Sequence, residues 1–225
     1  MNKLSWLLVL CFAIAATGCA VPGAPTADGL TPVASRQVDA LYVRPDADIR
    51  SYHQVFIEPV AVKFRSDYGQ RHAMNYLLAE PLYAPHQAPE SLATDMASLM
   101  QAGLVDAFKA ANYEVVGAPA PGVLRVSVKI NDLFINAPDR LSSSVRVTLN
   151  RETGEATYLL EASDGASGNV VARVQHHQIV REVSRLNLAD DTTNRFWFET
   201  SFRRFASNVV DALGASRRTT VSLAN

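Results

Sequence analysis

The sequence predicts a two-layer α+β domain, in which a mixed, mostly antiparallel sheet of about five strands carries two helices packed on one face. Two long segments repeat apolar residues at the 3.6-residue period of a helix, and several shorter ones alternate apolar and polar residues as strands do. All 11 prolines lie at or before Pro138, so the chain beyond it can form paired strands and a helix without interruption. A helix with one apolar stripe must bury it, and the sheet is the available partner.

The amino-terminal half contains the first two strands and the helix between them. The first strand is predicted over 53–64, where the apolar alternation changes phase at Pro59. A bulge or an edge position there would explain the change, because proline cannot donate to a ladder. The first helix is predicted over 89–112, with Asn112 suited to a left-handed stop. The next strand is 122–135, and because a helix joins it to the first strand, the two are expected to be parallel.

Three more strands and a second helix complete the predicted fold. The strands are predicted at 144–149, 156–162 and 170–180, with turns at Thr153-Gly154 and at 164–168. These strands are expected to pair antiparallel. The second helix is predicted over 193–213, where phenylalanine, alanine and valine recur at four- and three-residue steps.

Composition excludes several classes of function. The chain has 21 basic and 22 acidic side chains, and its net charge of −1 gives no general attraction to nucleic acid, so we expect no nucleic-acid partner. The two cysteines, Cys11 and Cys19, both lie near the amino terminus. A disulfide framework or a cysteine-based zinc site in the body of the chain is therefore excluded.

No candidate catalytic, cofactor-binding or metal-binding residues emerge, and we expect neither a cofactor nor an enzyme activity. His176 and His177 are adjacent, but neighbours on a strand point to opposite faces and cannot chelate one metal. The chain has no G-x-S-x-G nucleophile motif. Glu152 and Glu155 flank the turn predicted at Gly154 and are interpreted as solvated turn residues. An unrecognised periplasmic hydrolase is kept as one alternative.

The amino terminus has the layout of a secretory signal. Lys3 gives it a positive start, and the apolar stretch 4–16 would be about 20 Å long as a helix, too short to span a bilayer. The following residues, Ala16-Thr17-Gly18-Cys19, resemble the lipobox of bacterial lipoproteins. In such proteins a diacylglycerol is attached to the cysteine sulfur, the signal is cut just before the cysteine, and the new amino terminus is acylated. The resemblance implies that Cys19 carries lipid, with palmitate among its acyl chains.

These features divide the chain into four parts. They are the signal peptide 1–18, the lipidated cysteine and a linker 19–39, a single α+β domain 40–214, and a polar tail 215–225. Part of the linker, Leu30, Val33 and Val38, is a candidate for docking on the domain. Three acyl chains exceed the two needed for stable anchoring. Ala20 stands where inner-membrane lipoproteins carry Asp, so the resemblance implies the outer membrane of a Gram-negative bacterium, facing the periplasm.

Three segments carry a second resemblance. The segments 41–64 (LYVRPDADIRSYHQVFIEPVAVKF), 121–133 (PGVLRVSVKINDL) and 164–173 (DGASGNVVAR) are similar to bacterial lipoproteins grouped as domain of unknown function 3313. The resemblance covers about 29–213, and Tyr52 is among its specific positions. It implies an exported lipoprotein with a periplasmic α+β domain. It implies no activity, because none is assigned to the family.

The sequence thus predicts an outer-membrane-anchored lipoprotein whose domain binds or assembles with another envelope component. A self-assembling structural protein of the envelope is the other alternative, and a homo-oligomer is left open. The segment 66–90 is a candidate docking surface, because it is long for a loop and contains Tyr68, Tyr76 and Tyr83. The alternative is that these side chains cap the core of the domain itself.

Overall fold

The computed structural model describes residues 24–68, 90–135, 149–150, 152–181, 187–188 and 191–215. These residues form an eight-stranded sheet, a separate two-stranded pair and two helices. The strands are β1 Thr31–Val33, β2 Ala40–Val43, β3 Gln54–Ile57, β4 Ala61–Phe64, β5 Glu114–Val115, β6 Val123–Ile135, β7 Leu149–Asn150, β8 Glu152–Asp164, β9 Val170–Arg181 and β10 Asn187–Leu188. The helices are α1 Glu90–Ala110 and α2 Asp191–Ala215, and a 3-10 turn spans Ile49–Ser51. The predicted α+β class is confirmed, and the sheet has more strands than the five expected.

The sheet order is β1-β2-β9-β8-β6-β3-β5, with β4 also paired to β6. Both β3 and β4 run parallel to β6, as the helix between them predicts, whereas β6, β8, β9, β2 and β1 pair antiparallel in turn. Gln54 lies opposite Val123 and Ala61 opposite Lys129, so β3 and β4 follow one another along the same edge of β6. The break between them contains Pro59, where the phase of the alternation changes.

The core lies between one face of the sheet and the two helices. Phe198, Phe202 and Phe205 of α2 are fully buried, and the rings of Phe202 and Tyr158 meet edge to face with centroids 5.6 Å apart. The Tyr158 hydroxyl lies 2.9 Å from the Ser201 hydroxyl. Burial raises the pKa of Tyr158, and the Ser201 hydrogen bond opposes that rise. The phenol is therefore a neutral hydrogen-bonding group inside an aromatic core.

Neither helix of the described chain combines the length and the apolarity that crossing a membrane would require.

The turn predicted at Thr153-Gly154 is wrong, because both residues lie inside β8. A Cβ atom at Gly154 would lie 2.1 Å from the carbonyl oxygen of Phe134 and 2.8 Å from Cζ of Phe198. The register of β8 against β9 also shifts between Glu152 and Gly154. Glycine is needed here for close approach within a bulged strand, and not for a turn.

The interpretation of Glu155 as a solvated turn residue is also wrong. Glu155 lies in β8 and forms an ion pair with Arg65, which follows β4. The Arg65 side chain is 17% exposed, donates to Asp67 at 2.5 Å, and lies over the Phe134 ring at 4.4 Å from its centroid. The guanidinium thus links the end of β4 to β8 through charge and ring contact.

The sheet begins inside the segment predicted as a linker. Leu30 is fully buried and Val38 nearly so. The Leu30 amide donates to the Thr26 hydroxyl at 3.0 Å, and the Thr26 amide donates to the Leu30 carbonyl at 2.8 Å. Arg173 Nη2 donates to Asp28 Oδ2 at 2.8 Å. These contacts fix residues 26–30 to the domain.

The strands run between two ends of the domain, which we name the hairpin end and the far end. At the hairpin end, the β8–β9 hairpin (165–169) lies beside the start of β6 and the end of β2, since Asp164 is opposite Leu124 and Val43 is opposite Ala172. At the far end, the end of β6 lies beside the start of β8. There Ile135 is opposite Gly154.

Helix α2 runs from the far end to the hairpin end. Phe198, in the second turn of α2, approaches Gly154 at the far end. Gly214, in its last turn, accepts a hydrogen bond from Arg50, which precedes β3. Helix α1 ends at the hairpin end too, because the Glu114 amide donates to the His53 carbonyl at 2.8 Å.

Candidate binding cleft

A cleft of about 570 Å³ opens at the hairpin end, on the helix side of the sheet. It lies where both helices end, beside the 3-10 turn and the start of β3. Its lining residues are Gln37, Arg50, Tyr52, His53, Ala111, Asn112, Tyr113, Val210, Asp211, Gly214 and Ala215. We refer to this set as the helix-end cleft.

Arg50 lines the helix-end cleft and connects it to the last turn of α2. Its Nε donates to the Gly214 carbonyl at 2.9 Å, and its Nη2 contacts the same oxygen. The last carbonyls of a helix lack partners within the helix and carry partial negative charge. The guanidinium satisfies one of them and places a positive charge at the cleft.

Tyr52 joins the cleft to the β8–β9 hairpin. Its hydroxyl donates to Asp164 Oδ2 at 2.9 Å. Burial, followed by the hydrogen bond and charge of Asp164, raises the pKa of Tyr52 to about 12. The Asp164 carboxylate also accepts from the Ser167 amide and hydroxyl, both at 2.8 Å, and from the Ala166 amide at 3.2 Å. Ser167 contributes most to lowering the pKa of Asp164, so this carboxylate is a charged acceptor that orders the hairpin.

Tyr113 also lines the cleft, and its position depends on how α1 ends. Asn112 adopts φ 65°, which confirms the predicted left-handed stop. The chain then turns so that the Tyr113 ring meets Phe108 edge to face at 5.3 Å. Burial raises the pKa of Tyr113, and the nearby charge of Arg50 lowers it. The two tyrosines therefore present neutral hydroxyl groups near neutral pH.

The helix-end cleft offers aromatic surface, two side-chain amides, one guanidinium and one carboxylate. Such a mixture can stack against and hydrogen-bond an extended ligand, and Tyr and Arg are enriched at protein interfaces. Within the described ranges, no three His, Cys, Asp or Glu side chains are placed to hold a metal ion.

The histidines occupy separate places among the residues that the structure describes. His176 faces the helices, where its ring stacks on Phe205 at 6.1 Å, while His177 faces the other way beside Thr157, with Nδ1 3.3 Å from its hydroxyl. The structure therefore places the two rings on opposite faces of β9, as strand geometry predicts. His53 lines the helix-end cleft. His72 and His86 lie outside the described residues.

The other predicted sites fall mainly outside the described ranges. Cys19 does, and so does most of the proposed docking segment 66–90, namely 69–89. Tyr68 is described: it is 9% exposed and packs edge to face against Phe64 at 5.0 Å and Phe134 at 5.9 Å. At this residue, the segment contributes to the core of the domain.

No local sequence pattern predicts the helix-end cleft. Gln37, Tyr113 and Asp211 are far apart in sequence and belong to different elements, so no local pattern connects them. Tyr52 is one of the positions that carry the family resemblance. In the structure it joins the cleft to Asp164, in another of the resembling segments.

The comparison with protein families confirms the resemblance. The family described as Protein of unknown function (DUF3313) matches residues 23–185. No curated protein is similar enough to this chain to count as a relative.

Several solved structures are similar to the chain at low identity. The PelC dodecamer from Paraburkholderia phytofirmans has 11% identity and a TM-score of 0.32, over 68% of this chain and 88% of that one. A protein of the DUF330 family from Xanthomonas campestris has 10% identity and a TM-score of 0.40, over 75% and 88%. A suggested lipoprotein from Caulobacter crescentus has 15% identity and a TM-score of 0.33, over 57% and 83%. Likenesses of this degree indicate no shared function.

Proposed function

We propose that this chain, which belongs to the family of proteins of unknown function DUF3313, is a lipid-anchored protein of the bacterial envelope whose domain binds another envelope component. The observation that carries the proposal is the sequence Ala16-Thr17-Gly18-Cys19 directly after the apolar stretch 4–16. With Ala20 following Cys19, the site of anchoring is the outer membrane, with the domain in the periplasm.

The anchor is tested by comparing Cys19→Ser with Cys11→Ser. We expect Cys19→Ser to lose incorporation of labelled palmitate and to leave the membrane fraction or accumulate as precursor, because the sulfur that receives lipid is gone. Cys11→Ser is the matched control, since Cys11 lies in the stretch removed with the signal. It should label and fractionate like the natural protein. Labelling of the Cys19→Ser protein would rule out this anchor.

The helix-end cleft supports a binding role for the domain. Arg50 is held by the Gly214 carbonyl and Tyr52 by Asp164, so the cleft walls are ordered before any ligand arrives. A preorganised site loses less side-chain entropy when it binds. Asp211 and Asn112 add polar groups at the rim, where they can determine which ligand fits.

A charge reversal in the cleft tests this role. Asp211 is exposed and lines the cleft, so Asp211→Arg changes the cleft's charge without disturbing the core. The test needs a partner that co-purifies stoichiometrically with the natural protein from solubilised envelopes. We expect the Asp211→Arg protein to recover about tenfold less of this partner, which corresponds to a loss of about 1.4 kcal/mol of binding free energy. Asp95→Arg, on exposed α1 surface, is the control and should retain the partner. If both variants retain the partner equally, the cleft is not part of the binding surface. If the purified complex contains only copies of this chain, the result favours self-assembly.

A further inference from the structure

The length of the chain between Cys19 and the domain determines which end of the domain faces the membrane. Among the described residues, which begin at Ala24, Thr26 is the first that hydrogen bonds hold to the fold, through Leu30. Seven Cα-to-Cα steps separate Cys19 from Thr26 in the sequence, so the connection reaches at most roughly 25 Å.

The attachment of this tether lies toward the hairpin end. Asp28 is fixed there from two sides, since Arg173 Nη2 donates to its carboxylate at 2.8 Å and Arg44 Nη2 donates to its carbonyl at 3.2 Å. Arg44 Nε in turn donates to the carbonyl of Val170, the first residue of β9. The Thr26 hydroxyl contributes most to lowering the pKa of Asp28, and Arg173 adds to the effect. The carboxylate is thus charged when it meets Arg173 near neutral pH.

The far end is too distant from this attachment to reach the bilayer easily. Arg173 and Arg181 are eight residues apart on β9, roughly 27 Å at the rise of a strand. Turning the far end toward the membrane would require a fully stretched tether, whose conformational entropy is very low. Placing the hairpin end nearest the bilayer requires no such stretching.

The tip of the β8–β9 hairpin is compatible with a bilayer nearby. This tip, Ala166 to Asn169, is exposed and consists of small residues without formal charge. The neighbouring segment 117–122 is also exposed and is also made of small, uncharged residues. Such residues can approach a headgroup layer without removing water from a charge. The two large apolar side chains that are exposed in the described structure, Ile179 and Phe196, instead lie toward the far end, at 39% and 58% exposure.

We propose that the hairpin end rests against the phospholipid surface and that the far end, with Ile179 and Phe196, points away from it. This inference rests on the proposed lipid anchor at Cys19. One consequence follows for the helix-end cleft, which opens at the hairpin end: its ligand is a segment that lies near the membrane surface.

Fluorophores at the two ends of β9 test the orientation. In the mature lipidated protein no other free thiol is present, because Cys11 leaves with the signal and the Cys19 sulfur carries lipid. Ala166→Cys and Arg181→Cys, both at exposed positions, therefore accept a single label each. The full-length proteins are inserted into phosphatidylethanolamine and phosphatidylglycerol vesicles containing a headgroup-labelled quencher lipid.

We expect quenching to be several-fold stronger at position 166 than at position 181. An insertion of about 20 Gly and Ser residues between Gly23 and Ala24 is the control, and it should remove most of this difference by lengthening the tether. Equal or reversed quenching, or a difference that survives the insertion, would overturn the inference while leaving the anchor intact. An unlipidated Cys19, checked by mass in the same samples, would overturn the anchor and the inference together.

Discussion

Gly154→Ala is expected to prevent the domain from folding stably. The added Cβ would lie 2.1 Å from the Phe134 carbonyl oxygen, a backbone atom that cannot move without shifting β6 away from β8. It would also lie 2.8 Å from Cζ of Phe198 in the core. We expect a loss of about 3 kcal/mol or more, seen as a large drop in melting temperature or as insoluble protein.

Gly117→Ala is the matched control for this substitution. A Cβ atom at Gly117 would meet nothing within 4 Å, and Gly117 is not one of the glycines with a positive φ. Its melting temperature should change little. If the Gly154→Ala and Gly117→Ala proteins have the same melting temperature, β8 does not approach β6 as closely at Gly154 as the structure indicates.

Phe202→Ala should cause the second large loss of stability. Phe202 is fully buried in α2, and its ring contacts Tyr158 and Phe198, with centroids 5.6 Å and 5.8 Å away. Removing it leaves a cavity between helix and sheet, which costs about 4 kcal/mol. Urea unfolding of the domain without its lipid anchor measures this loss: the urea concentration at half-unfolding should fall, while the dependence of the free energy of unfolding on urea stays the same.

Phe196→Ala, on the same helix, provides the comparison. Phe196 is 58% exposed, so its removal should change the free energy of unfolding by less than about 0.5 kcal/mol. Equal effects of Phe196→Ala and Phe202→Ala would show that the helix does not pack on the sheet through the face assigned to it.

The long elements could be predicted because each one carries its own pattern. β6 alternates buried and exposed residues along most of its length, and α2 buries residues at helical spacing, so burial on one face is visible in the sequence itself. The parallel pairing of β3 and β4 with β6 also followed, because a helix joins them.

The short strands at the edges were not predicted, for a physical reason. β1 and β5 have three and two residues, too few to show a period, and β1 contains Pro32. An edge strand tolerates proline because one side of it makes no ladder bonds. These strands depend on the neighbours that they pair with, such as β2, and not on their own sequence.

The role of Gly154 and the helix-end cleft could not be predicted, because both depend on residues that are distant in sequence. A glycine between two glutamates is typical of a turn, and only the approach of Phe134 from another strand reveals why glycine is needed. The cleft similarly joins Gln37, Tyr113 and Asp211 through the way α1 and α2 end. Both features are consequences of tertiary packing.

The most direct test of the central claim is the mass of the amino-terminal peptide of the natural protein purified from membranes. The proposed lipid anchor predicts that the mature chain starts at Cys19, with a diacylglycerol on its sulfur and an acyl group on its amino terminus. A mature chain that starts at another residue, or one that carries an unmodified Cys19 thiol, would contradict the lipid anchor.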